Sequence, residues 1–223
     1  MRTKKSAAEL LRRWLFLVVS LFVMALGVAC SIQANLGTSP ISSVPYAVSR
    51  FTPLTVGTAT IAMHCVFILI QILILRRRYD PVQLLQLPVA IVFGYPTDLA
   101  VWGVGFLQPA ACWQQWLLCL AGIALVGVGV SGEVTAGVVT LAGEGVVLAV
   151  CQAAPVKFGT MKVIFDVTLV LTACVLSLLF LGHIAGVREG TVAAALLVGQ
   201  VARRMNRVLE PVNRRLLSGL RDR

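Results

Sequence analysis

Apolar residues run along this chain in long unbroken stretches rather than alternating with polar ones. Five stretches are plain, at about 14–33, 56–75, 84–107, 111–131 and 158–181. Each comes near the roughly 20 residues a helix needs to cross about 30 Å of hydrocarbon, so the pattern predicts membrane-spanning helices. A sixth, Thr191 to Ala202, is short and must borrow length from its flanks or sit against protein. Two more, at about 39–51 and 137–153, are mildly apolar and rich in Gly, Ser, Thr or Pro. They are too short or too broken to cross, and re-entrant or interfacial half-helices fit them better. The expected fold is all-α: a polytopic membrane protein with about six transmembrane helices and two short half-helices.

Composition agrees. Of 223 residues 58% are hydrophobic and 13% charged, which no soluble domain of this size would bury. The charges are lopsided, 19 Lys and Arg against 9 Asp and Glu, and cluster at Arg2 to Arg13, Arg76 to Arg78 and Arg203 to Arg223. Because these clusters flank apolar spans, they are read as membrane-edge charges and no nucleic-acid partner is expected. The opening "MRTKKSAAELLRR" has the look of a signal peptide. The run from Trp14 to Ile32 is nevertheless long enough to span, and it reads as a retained first helix.

Lys and Arg also set the orientation. With six spans and a cytoplasmic N-terminus, the inner side holds five basic residues before the first span, Arg76 to Arg78, Lys157 and Lys162, and seven arginines from Arg203 onward. That is 17 of the 19, with Arg50 and Arg188 outside. Both termini are therefore expected in the cytoplasm. Residues 1–13 form a basic N-terminus, and 205–223 a basic amphipathic tail that lies on anionic membrane lipid.

The chain repeats itself. "GVACSIQANLGTSP" (27–40) meets "GVGVSGEVTAGVVT" (127–140), with Gly27, Ser31 and Gly37 on Gly127, Ser131 and Gly137, and Gln33 on Glu133. "VGTATIAMHCVFILI" (56–70) meets "FGTMKVIFDVTLVLT" (158–172) at an offset of 102, which sets Gly57 on Gly159 and His64 on Asp166. "VAIVFGYPTD" (89–98) meets "AALLVGQVAR" (194–203), with Gly94 on Gly199. Colinear matches indicate a duplication. Three spans in each half, 14–107 and 111–204, make it an inverted repeat, as in many secondary transporters.

The same stretches carry a resemblance. "GVACSIQANLGTSPISSVPYAVS", "AGEGVVLAV", "FGTMKVIFDVTLVL" and "GVREGTVAAALLVG" resemble the YczE/YyaS/YitT group of bacterial integral membrane proteins, close to its DUF6198 branch, from about Leu26 to Val201. The resemblance implies a multi-pass protein of the bacterial inner membrane. It brings no catalytic residue.

Candidate chemistry sits in and beside the spans. Asp166 is a carboxylate inside an apolar run, where a bare charge costs at least about 3 kcal/mol. Either it faces a substrate or proton pathway with His64, or it is paired structurally. In "ANLGTSPISS", Pro40 suits a first helical turn and Thr38 or Ser39 its cap. That helix end, with Asn35 and Gln33 nearby, would favour an anion, unless it is an ordinary capped surface helix. Glu133 and Glu144 flank the matching break in the second half, as pathway groups or as charges at the membrane edge. Pro88 and Pro96 interrupt the third span, and Asp98 follows as a pathway carboxylate or a helix-end charge.

No enzyme is expected. "GVSG" (129–132) fits a rhomboid-type protease pattern, but no histidine follows Thr191 to serve as its base. HExxH, Walker and GxGxxG signatures are absent, and no cofactor or metal is expected. The six cysteines form no CxxC pair and read as small buried hydrophobes. The leading expectation is a gradient-driven transporter or channel for a small solute, with Asp166, His64 and Gln33 on one cavity. The alternative is a non-transporting scaffold or accessory protein for a partner complex, with a packed centre and a conspicuous lipid-side groove. An oligomer fits either.

Overall fold

The structure, a computed structural model, describes residues 7–212. Among these residues there are eight α-helices and no strand: α1 Ala7–Gln33, α2 Pro40–Phe51, α3 Val56–Leu75, α4 Gln86–Gly103, α5 Cys112–Ala136, α6 Ala142–Ala153, α7 Phe158–Leu181 and α8 Glu189–Val212. Five helical segments are long and apolar enough to cross a membrane: Ala7–Gln33, Val56–Arg78, Pro81–Gly103, Cys112–Ala136 and Phe158–Leu181. They are the apolar helices of an integral membrane protein.

The sixth apolar stretch belongs to a longer helix than its hydropathy indicates. At 1.5 Å per residue, the 24 residues of α8 reach roughly 36 Å. Its apolar part gives way to Arg203, Arg204 and Arg207, so composition alone does not mark it as a span. The first eight residues of the expected tail continue α8. The rest of the tail, from 213, and residues 1–6 of the N-terminus lie outside the described residues.

The two ambiguous stretches form α2 and α6, 12 residues each. Glycines place them. Asn35 (φ 54°) and Gly37 (φ 100°) reverse the chain after α1, and a Cβ on Gly37 would strike the Thr191 hydroxyl and the Arg188 amide. Gly137, at φ 56°, ends α5 in the same left-handed conformation. α2 starts with Pro40 at its first position, as expected. The Ser39 side chain caps nothing and bonds Ser42 Oγ at 3.0 Å instead. The expected interruption of the third span is not a break: α4 runs through Pro88 and Pro96. Pro88 stands in the first turn, where no N–H is needed. Packing against α1 and α3 holds the helix continuous at Pro96.

α1 and α5 form the central pair. Arg13, near the start of α1, donates from Nη1 to the carbonyl of Ala136 at the end of α5 at 3.0 Å, so the two run antiparallel. Their backbones approach closely: a Cβ on Gly27 would strike Gly122 and Val126, and one on Gly122 would strike Gly27 and Ser31. Small residues at a helix interface allow such packing without a hydrophobic drive. α4 flanks α1, and α8 flanks α5. The short helices cross over, α2 packing on α7 and α6 on α3. α3 also packs along α4, whereas α7 has no comparable interface with α8.

The α3–α4 contact is tight. A Cβ on Gly57 would collide with the Gly94 carbonyl and the Asp98 carboxylate. Asp98 locks the pair, its Oδ1 accepting from the Gly57 amide at 2.7 Å and its Oδ2 from the Thr55 hydroxyl at 2.6 Å. The carboxylate thus caps the helix before its own, where backbone N–H groups and the dipole favour a negative charge. Asp98→Ala is expected to lower stability by about 1–3 kcal/mol, the cost of orphaning these donors. Asp98→Asn should lose less. Thermal unfolding of the purified variants checks both.

Candidate functional site

The two short helices, α2 and α6, meet at their N-termini. A Cβ on Gly143, in the first turn of α6, would touch the tip of Ile41, in the first turn of α2. Around this junction opens a cleft of about 420 Å³. α7 walls one side with Gly159, Lys162 and Asp166, and α8 the other with Gly199, Gln200 and Arg203. Ser39 and Ser42 of α2, Thr60 and His64 of α3, Glu133 of α5 and Glu144 of α6 line the interior. Apolar groups from α1 and α4, Met24, Val28 and Phe93, complete it.

The charges inside are partly balanced. Lys162 donates to Asp166 at 2.6 Å, one turn away on the same helix, and its ammonium lies 5.7 Å from the centre of the Phe165 ring. The half-buried carboxylate in the apolar run is thus compensated by its own helix rather than left bare. Glu133, only 2% exposed, accepts the Leu141 amide at 2.6 Å. The extended residues before α6 are held there by a carboxylate, as anions are held at other helix starts. Glu133 also lines a recess of about 290 Å³ that holds Asp80 and Gln86, so it stands between the two spaces.

His64 is unlike its neighbours. It is 1% exposed, lies edge-on to Phe67 and Phe93 at ring distances of 6.0 and 6.3 Å, and its Nδ1 has no hydrogen-bond partner. Buried polar atoms are nearly always satisfied, and an orphan costs about 1–3 kcal/mol.

The expected residues do not all gather here. Asp166, His64, Glu133, Glu144 and Ser39 share the cleft. Thr38 lies behind it, 1% exposed, with its amide and hydroxyl both donating to the Gly186 carbonyl. Gln33 and Asn35 line a separate open concavity of about 650 Å³ with Tyr46, Arg50 and Gln115, at the end of α1. The grouping of Gln33 with Asp166 and His64 is therefore not what the structure places.

Sequence reading also passed over several groups. Gln71, fully buried, donates to Gln86 at 2.9 Å and to the Ala142 carbonyl at 3.1 Å, tying α3 and α4 to the start of α6. An isolated Gln in an apolar span was the signal for it. Thr60, Gln200 and Arg203 gave none by themselves.

No curated protein and no solved structure matches the chain. The profile of a family of unknown function, DUF6198, matches residues 11–207, a range that takes in every residue lining the cleft. The chain belongs to the DUF6198 family.

Proposed function

We propose that the chain is a gradient-driven transporter or channel for a small solute, with the cleft as part of its path. One observation carries this: a largely apolar cleft that nevertheless holds three carboxylates, a lysine, an arginine and the unpartnered His64 opens where two half-helices meet head to head. Half-length helices converging on charged side chains buried at membrane depth are a usual construction of a transporter site. A scaffold calls for a packed centre and a lipid-side groove; α1 and α5 do pack closely, and it is the charged side chains inside the cleft that favour a path. The proposal includes the three-plus-three inverted repeat over 14–107 and 111–204. It is supported by the way α1–α4 packing answers α5–α8 packing, and α2–α7 answers α6–α3. α8 then serves as the sixth span. The quoted motifs further support kinship with the YczE/YyaS/YitT group and residence in a bacterial inner membrane.

Purified protein in liposomes, screened for flux of small anions, cations and neutral solutes, is expected to pass at least one class above the empty-liposome rate. Rates equal to empty liposomes for all three classes would overturn the reading. The charge distribution further favours a cytoplasmic position for both termini. Reporter fusions after Arg223 and between Arg76 and Asp80 are both expected to read cytoplasmic, and an exported C-terminal reporter would break the six-span arrangement.

A further inference from the structure

The two halves differ at one interface. α3 packs along α4, and a side chain on Gly57 or Gly94 would run into the backbone of the other helix. The matching residues of the second half are Gly159 and Gly199, and a Cβ on either would meet nothing within 4 Å. Both are exposed, and both line the cleft, one from α7 and one from α8. Glycine in a helix interior, as at Gly199, is disfavoured unless close approach requires it, while Gly159 stands in the first turn of α7. In the present arrangement nothing approaches either one.

α7 and α8 are the least anchored of the long helices, with four buried residues each. Only Phe165, Leu169, Ala173 and Ser177 are buried along the 24 residues of α7, and its partners are the short helices α2 and α6. On α8, the residues that flank Gly199 towards the cleft are Ala195, Leu196 and Gln200.

We infer that α7 and α8 close on each other across the cleft, Gly159 meeting Gly199 as Gly57 meets Gly94. The inference rests on the inverted repeat proposed above. Closure brings Arg203, on the α8 wall, towards Glu144 and the Lys162–Asp166 pair, the charged groups on the facing side. It seals the cleft on the side where it is now open. By the symmetry of the halves, the exchange is completed when α3 and α4 part, breaking the Asp98 lock. The cleft then faces the other side of the membrane, and the structure described is one of two states.

The test is disulfide trapping. Gly159→Cys and Gly199→Cys are introduced together into the full chain with its six native cysteines replaced by alanine, and oxidised in membranes. Ile41→Cys with Gly143→Cys, already in contact, serves as the reference pair. A 159–199 crosslink forming to a similar extent as the reference supports closure. A reference crosslink with none between 159 and 199 overturns it. If the cysteine-free chain does not fold, Gly159→Leu in the native background replaces it. That side chain fits the open space, so thermal stability should hold while solute flux in liposomes drops at least tenfold. Unchanged flux overturns closure alone. A crosslink without flux of any solute supports closure and overturns the transport reading instead.

Discussion

Gly57→Leu is expected to destabilise the protein by about 3 kcal/mol or more, while Gly159→Leu is expected to change its stability by less than about 0.5 kcal/mol. The two glycines occupy matching places in the sequence, two residues into α3 and α7. Their surroundings are opposite. At Gly57 a side chain must displace the Gly94 carbonyl and the carboxylate that caps the helix, so it adds overlap and orphans donors together. At Gly159 it enters open space. Gly94→Leu and Gly199→Leu should divide in the same way. Thermal unfolding of the four purified variants decides the matter: equal losses at Gly57 and Gly159 would mean that α7 is as tightly packed as α3.

Asp166→Asn is expected to bring flux down to the rate of empty liposomes while leaving the fold intact. The amide keeps the shape of the carboxylate and removes the charge that holds Lys162. The ammonium is then released into the cleft, and the charge presented to a passing solute becomes more positive by one unit. Asp166→Leu goes further, removing the acceptor altogether. The pair retains some exposure, with 32% of the Lys162 side chain and 20% of the Asp166 side chain accessible. The loss should therefore be about 1–2 kcal/mol rather than that of a fully buried ion pair. Flux and melting temperature measured on the same preparations separate the roles. A well-folded Asp166→Leu protein with full flux would leave Asp166 a local packing detail.

Hydropathy made the long helices legible because roughly 20 apolar residues in a row match the thickness of a bilayer and exceed what a soluble core helix needs. It failed at α8 for a physical reason: the arginines from Arg203 on lower the average without ending the helix, which continues to Val212. Asp98 could be read as a helix-end charge. That the end belongs to α3 could not, because the partner lies 41 residues back. The shared cleft of His64 and Asp166 and the separation of Gln33 follow together from the proposed repeat. A two-fold axis in the membrane plane sends a residue near one face to the other face, so Gln33 and Glu133 must part. Residues near mid-depth stay together, and His64 and Asp166 both lie in the third turn of their helices. The gap between α7 and α8 was beyond any reading, since the sequence keeps a glycine on both sides of it.

The crossed packing of the short helices bears on how the chain is made. α2 is held by α7 and α3 by α6, with more than ninety residues between the facing parts of the first pair. While the ribosome is still extending the chain, the first half must wait in the bilayer with these faces against lipid or an insertase. Neither half is a finished product, and a fragment ending near residue 107 should be a substrate for membrane proteolysis. The same crossing lets two separately expressed halves find each other, since each carries the surface that the other lacks.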